Sequence, residues 1–255
     1  MYMVKVKNIR TDGSMFHYAH FLCDCLFPEI ICDMFNYKEV IREKNLKQTI
    51  GNFSKIYTEV MMIKHKELWP NNFNKLKINT ICYKPKEFYC KKIYFDKFRN
   101  FIFSRYKINH LEYINDYPEV ILIKRGGRVN LIDDVCLSKI NNNATTGKER
   151  REIDNIDNVE SYLKDKYGDK FRGLYFENLP FKEQIKYFNN AKIIICAHGA
   201  VMSNMFFCKK GTTIIEVTCD KIWGFFDKIS NILNLKHIKC KENNFVSIIK
   251  CIEQI

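Results

Sequence analysis

The residues of this 255-residue chain best placed to do chemistry fall into two groups, and the sharper one lies late in the sequence. Ala197-His198-Gly199-Ala200 stands between an apolar run and a short helical stretch. A small residue there lets backbone amides approach an anion, and a helix N-terminus favours negative charge. His198 can add a hydrogen bond or a positive charge toward a diphosphate. Asn204, on the same short helix, is placed to donate to a phosphate, a ribose or a sugar hydroxyl. The competing reading is a turn glycine beside a structural histidine. Glu216 closes the next apolar run, Ile214-Ile215-Glu216-Val217, where a carboxylate at a strand's C-terminal end can accept ribose hydroxyls. Its alternative is a charge that merely begins a loop. Arg125 and Arg128 bracket Gly126-Gly127, and Arg150-Arg151 follow beyond an Asn-rich stretch. Guanidinium groups beside glycine suit bidentate contact with phosphate. A solvated basic loop is the ordinary explanation and the preferred one for Arg128, whereas Arg125 lies nearest the expected ligand edge.

The earlier group is His17, His20 and Asp24 within Phe16-His17-Tyr18-Ala19-His20-Phe21-Leu22-Cys23-Asp24. His20 and Asp24 are four residues apart and so neighbour each other on one helical face. In an apolar helix such a pair is costly unless its members satisfy each other or serve a function. The pair can supply a general base, or it can be a buried capping pair. A metal site is the thinnest alternative, since His17 is the one further ligand type at helical spacing and the chain contains no Asp-x-Asp.

These residues need elements to hold them. Residues 119–124 form a continuous apolar run of the kind found in buried parallel strands. A helical pattern through Val159, Tyr162 and Leu163 follows, then a strand at 174–176 and a helix opened by Pro180 with Phe181, Ile185, Phe188 and Ala191 on one face. Strands at 192–197 and 213–217, helices at 199–207 and 225–233, a short strand at 237–238 and a closing helix at 246–252 complete the half. This alternation specifies βαβ units and a parallel, Rossmann-like sheet, whose ligands bind at the carboxyl ends of the strands. In the first half, residues 16–35 read as an apolar helix broken near Pro28, 56–63 and 77–83 as strands, and 96–106 as a basic helix. The segment 113–118 is the expected boundary, giving a smaller α/β domain over 1–117 and a Rossmann-like domain over 118–255.

Composition narrows the field. The net charge of +13 attracts polyanions, from nucleic acid to phosphorylated metabolites, yet the positive residues are scattered rather than gathered into one stripe with interleaved aromatics. A basic nucleic-acid-binding module is therefore the rival reading and not the first. Eleven cysteines occur without a CxxC pair, mostly in apolar runs, which argues against zinc and for small buried hydrophobes in a reducing compartment. No apolar run approaches a membrane span and no signal-like segment opens the chain, so the expectation is a cytoplasmic protein without a membrane span.

Taken together, these pieces resemble glycosyltransferase family 61. The resemblance rests on Ile123-Lys124-Arg125, Arg150-Arg151 with Asn155, Leu179-Pro180-Phe181-Lys182-Glu183-Gln184-Ile185, Ala197-His198-Gly199-Ala200 with Asn204, and Ile215-Glu216-Val217. His20-Phe21-Leu22-Cys23-Asp24 followed by Pro28 is similar to the family's aromatic-rich His…Asp helix. It implies a GT-B-like α/β fold, two Rossmann-like domains with a reduced N-terminal one. It implies an inverting transferase that needs no metal or other cofactor and moves a sugar from a nucleotide sugar, UDP-xylose first among the donors, to a glycan or glycoprotein acceptor. Arg125, Arg151, His198, Gly199, Ala200, Asn204 and Glu216 would hold the donor, and Asp24 with His20 would be catalytic. A non-catalytic relative that binds nucleotide or glycan is the other alternative. The Lys-, Asn- and Ile-rich composition reads as an AT-rich genome, with a large DNA virus acting in the host cytoplasm as the expected source.

Overall fold

Two stretches of alternating strand and helix each close on a parallel sheet of their own. The structure is a computed structural model and describes residues 3–6, 17–34, 39–40, 51–61, 80–83, 91–127, 151–177, 179–218 and 224–255. The described residues up to Arg105 make one compact unit and those from Tyr106 onward the other. The division thus falls ahead of the boundary expected at 113–118.

The N-terminal unit runs β1 (Met3–Val6), α1 (Tyr18–His20), a π-helical stretch Phe21–Leu26, α2 (Phe27–Met34), β2 (Glu39–Val40), α3 (Ser54–Met61), β3 (Thr80–Tyr83) and α4 (Lys92–Tyr106). Its strands are parallel in the order β2-β1-β3. The expected break at Pro28 is absent, and helix continues from Tyr18 through Met34. Proline lacks an N–H and crowds the carbonyl four residues back, and the wider π turn just ahead of it relieves both problems. Residues 56–63, expected as a strand for their β-branched content, are helical through Met61. Ser54, Tyr57 and Val60 are buried at a spacing of three, and that tertiary burial outweighs local propensity. Of the strand expected at 77–83, residues 77–79 lie outside the described residues. Phe21 stacks on Phe53 with ring centroids 5.0 Å apart, and Phe27 meets Phe95 at 5.2 Å and Phe98 at 4.4 Å. These aromatics make the unit's core.

The C-terminal unit contains β4 (Val120–Lys124), α5 (Ile156–Tyr167), β5 (Phe171–Tyr175), α6 (Phe181–Asn190), β6 (Ile193–Ala197), a 3-10 helix (Ala200–Phe207), β7 (Thr213–Val217), α7 (Phe225–Leu233), β8 (Lys236–Cys240) and α8 (Phe245–Ile252). All five strands are parallel, in the order β5-β4-β6-β7-β8. β6 and β7 are buried throughout, as a sheet covered on both faces requires. Val120, Leu122, Ile195, Ile215 and Val217 share one core cluster with Val159 and Leu163 of α5 and Ile248 and Ile252 of α8. The alternate residues, including Ile121, Ile194, Ile214 and Glu216, take the opposite face by the period of two. The 3-10 helix packs there between α6 and α7. β5 begins three residues earlier than expected because Arg172 and Gly173 hide its apolar pattern. Glycine at 173 leaves space for the Glu160 carboxylate, which reaches Lys124 at 2.7 Å; a Cβ there would lie 2.0 Å from Glu160 Oε1.

The order places the first and third strands of this unit, β4 and β6, side by side, with the chain leaving them in opposite directions. That is the topological switch point where such sheets leave a crevice at the strands' carboxyl ends. The N-terminal core is testable at Phe27, which has no solvent exposure. Phe27→Ala should cost about 3–5 kcal/mol, read as a lower urea midpoint with an unchanged slope.

Candidate functional site

Residues expected to bind a phosphate converge at this switch point. Pairing runs Ile123 to Cys196 and Cys196 to Glu216, so the ends of β4, β6 and β7 lie level. Arg125 and His198 each follow their strand by one residue. Arg125 Nη2 donates to the His198 carbonyl at 3.3 Å, and Arg151 Nη1 donates to the same oxygen at 3.4 Å. Two guanidinium groups thus meet over one backbone carbonyl at the mouth of the strand-to-helix turn. Gly199 makes the approach possible. A Cβ on Gly199 would stand 2.0 Å from Arg125 Nη2 and 3.3 Å from its Cζ. The backbone at Gly199 is extended, so the need for glycine is one of space. Ala200 begins the 3-10 helix, whose first amides have no acceptor within the helix. Two cations and these amides form a cradle for an anion.

Peripheral residues fix the cradle. Arg151 belongs to a segment gripped by Asn243, whose side chain accepts from Asp154 N at 3.1 Å and donates to Glu152 O at 2.8 Å. Asn155 then opens α5 in the left-handed region, φ 53°, which asparagine tolerates better than most residues. On the other side, Gln184 donates to the carbonyls of Phe176 and Leu179 at 3.3 and 2.9 Å and accepts from Asn204 Nδ2 at 2.9 Å. Asn204 is wholly buried. Its amide therefore ties the 3-10 helix to α6.

Glu216 has no solvent exposure, and its two oxygens face two imidazoles: His198 Nδ1 on Oε1, and His237 Nε2 on Oε2 at 2.8 Å. Burial alone would push this carboxyl up, but the hydrogen bonds and charges of the two histidines prevail and bring it from an ordinary 4.5 down to about 2. An ionised carboxylate can only accept, so His198 Nδ1 carries the hydrogen it turns to Oε1, while His237 Nε2 makes an ion-pair contact without hydrogen-bond alignment. His198 Nε2 has no partner among the described residues, and a tenth of its side chain is exposed. The Phe226 ring meets the imidazole edge-on at 5.5 Å. Behind, His237 Nδ1 lies 3.3 Å from Asp227 Oδ1, and Lys239 Nζ 2.5 Å from Asp227 Oδ2. Sequence reasoning passed over His237, Asp227 and Lys239. The available signal was the His237-x-Lys239 alternation on a strand beside the one carrying Glu216. Cys196, next to the site, is no nucleophile, since burial and then the Glu216 charge push its thiol far up.

His20 and Asp24 lie in the N-terminal unit. His20 Nδ1 meets Asp24 Oδ2 at 2.7 Å, with side chains 30% and 20% exposed. Asp24 sits within the π-helical stretch, a rare geometry that recurs at functional sites. The pair is formed and reaches solvent, as a base must. Arg128 and Arg150 lie outside the described residues. Among the described residues, no three His, Cys, Asp or Glu side chains cluster as metal ligands would.

Two tests follow from this geometry. The low carboxyl value of Glu216 contributes about 3 kcal/mol at neutral pH. A depressed value gives stability that is present above the unfolded 4.5 and lost as pH falls through about 2. Glu216→Gln should therefore destabilise at pH 7, and its deficit against the native chain should shrink across that acid window. A deficit that stays constant would remove the ionised carboxylate from the account. Gly199→Ala should cost about 1–3 kcal/mol by displacing the Arg125 guanidinium, and much less when Arg125 is already alanine. Additive losses in that double-mutant cycle would contradict the contact.

No helix among the described residues is long and apolar enough to cross a membrane. No curated protein matches the chain. The family model for glycosyltransferase 61 matches residues 18–215. The match begins at the helix carrying His20 and Asp24, takes in Arg125, Arg151 and the whole His198 turn, and ends within β7. Covering well over half of the sequence, it shows that the chain belongs to glycosyltransferase family 61 and is a transferase enzyme.

Proposed function

We propose that this glycosyltransferase is inverting and metal-independent, with a nucleotide sugar as donor, UDP-linked and xylose in the first instance, and a glycan hydroxyl as acceptor. The observation that carries the reading is the convergence of Arg125 and Arg151 on the His198 carbonyl at the switch point. The donor diphosphate lies in that cradle, held by the guanidiniums, the first amides of the 3-10 helix and His198. An acceptor hydroxyl attacks the anomeric carbon. The new C–O bond forms as the bond from that carbon to the diphosphate oxygen breaks, and the electron pair leaves with the nucleoside diphosphate. The hydroxyl proton passes to Asp24, oriented by His20 at 2.7 Å. Fixed positive groups, rather than a divalent ion, meet the charge on the leaving oxygen, an arrangement worth most where water is excluded.

The test is a thermal-shift series with UDP, GDP, CDP and UDP-sugars, in EDTA and again with Mn²⁺. Stabilisation by one nucleotide family in EDTA is expected. Stabilisation only with Mn²⁺ would overturn metal independence, and no response to any nucleotide would overturn the donor reading. With a donor identified, Asp24→Asn should lower turnover by roughly 10²–10⁴-fold while sparing donor affinity. Arg125→Ala and His198→Ala should weaken both. Normal turnover in Asp24→Asn would rule that residue out as base.

A further inference from the structure

With both Glu216 oxygens turned to imidazoles, the ribose of a bound nucleotide needs another acceptor. We infer that Glu177, just past the end of β5, accepts the ribose hydroxyls of the donor and makes the enzyme selective for ribonucleotides over deoxyribonucleotides. The inference rests on the donor reading above and assigns a part of the nucleotide that reading leaves without a partner.

Topology supplies the first support. β5 is the second strand of its unit and pairs with β4, the strand that leads into Arg125. Pairing ends at Lys124 and Tyr175, so two further steps along each chain bring Gly126 opposite Glu177. The side chain confirms that placement: Gly126 N donates to Glu177 Oε1 at 2.9 Å. One oxygen of the carboxylate is thereby pinned to the residue after Arg125, about 3.8 Å away along the backbone.

Chemistry supplies the second. Glu177 is exposed, and Oε2 has no hydrogen-bond or ion-pair partner among the described residues. A carboxylate fixed through one oxygen and open at the other can accept two hydrogens, which matches the paired hydroxyls of a ribose. Its alternatives on this edge fit less well. Glu160 is spent on Lys124 at 2.7 Å, and the Tyr175 ring lies 4.9 Å from Lys124 Nζ. Glu177 thus grips the backbone at the residue that follows Arg125.

The experiment measures the affinity of the full chain for UDP, CDP and GDP, each beside its 2′-deoxy counterpart, by calorimetry. The native chain should prefer the ribonucleotide of its chosen base by about tenfold, the scale of a hydrogen bond to a charged group. Glu177→Ala should bring that ratio close to one, weakening the ribonucleotide more than the deoxynucleotide, which loses only its 3′-hydroxyl bond, and should leave the melting temperature unchanged. Glu177→Gln, whose one carbonyl oxygen can keep the Gly126 anchor, should lose most of the preference too. A native chain that binds ribo and deoxy forms equally, or a Glu177→Ala variant that keeps the preference, overturns this assignment and leaves the donor reading standing. A native chain that binds no nucleoside diphosphate overturns both.

Discussion

A carboxylate stripped of water stays ionised only if its surroundings replace the lost hydration, and Glu216 sits at the point where the C-terminal unit meets that demand. Its position is dictated by the sheet. β7 is buried along its full length, so its last polar side chain has no route to solvent and must be satisfied from within. His198, just past β6, hydrogen-bonds one oxygen, and His237 on β8 brings its ring nitrogen within ion-pair distance of the other without hydrogen-bond alignment. Asp227 and Lys239 then extend the alternation of charge outward to α7 and the sheet edge. Because an ionised carboxylate only accepts, it fixes which nitrogen of His198 carries hydrogen toward the interior. The ring cannot turn without leaving a buried charge unpaired. Orientation of the exposed edge of His198 is thus a consequence of burial on the neighbouring strand.

The same constraint reaches the arginines through the backbone. His198 N donates to the Val217 carbonyl, which holds the backbone where Arg125 and Arg151 meet the His198 carbonyl, and the missing side chain at 199 gives the first guanidinium its space. Asn243 and Gln184 brace the two flanks of the turn. None of these contacts is strong alone, since net gains from single hydrogen bonds run to about 1 kcal/mol. Their value is geometric. Positive groups aimed beforehand at a developing charge need not reorganise as the reaction proceeds, and low local polarity magnifies what they do.

The sequence made the C-terminal unit largely readable. Continuous apolar runs at 193–197 and 213–217 admit little but buried parallel strands, and the turns between them carry the chemistry by topology alone. What stayed hidden has physical causes. Glu216 looked like a ribose acceptor because strand-end carboxylates often are; nothing linear indicated that His237, twenty-one residues later, would cover its second oxygen. Asn204 looked polar and available, and its burial depends on Gln184 from a different helix. Residues 56–63 read as strand because Ile, Thr and Val favour it, while the buried spacing of Ser54, Tyr57 and Val60 needs the tertiary fold to become visible. Pro28 signalled a break that a π turn absorbs.

The π turn also bears on how the two groups of residues differ. Around Glu216, precision comes from burial: charges are locked because no water can substitute for their partners. Asp24 is held otherwise, by a single imidazole 2.7 Å away and by a helix whose widened turn sits in a dense aromatic core of Phe21 and Phe27. Its carboxylate keeps a fifth of its surface in solvent. Glu216 is held ionised by the histidines against the upward push of its burial, whereas Asp24 keeps one imidazole partner and an edge in solvent. The two carboxylates thus differ in what replaces their hydration, protein groups alone for Glu216 and an imidazole with water for Asp24.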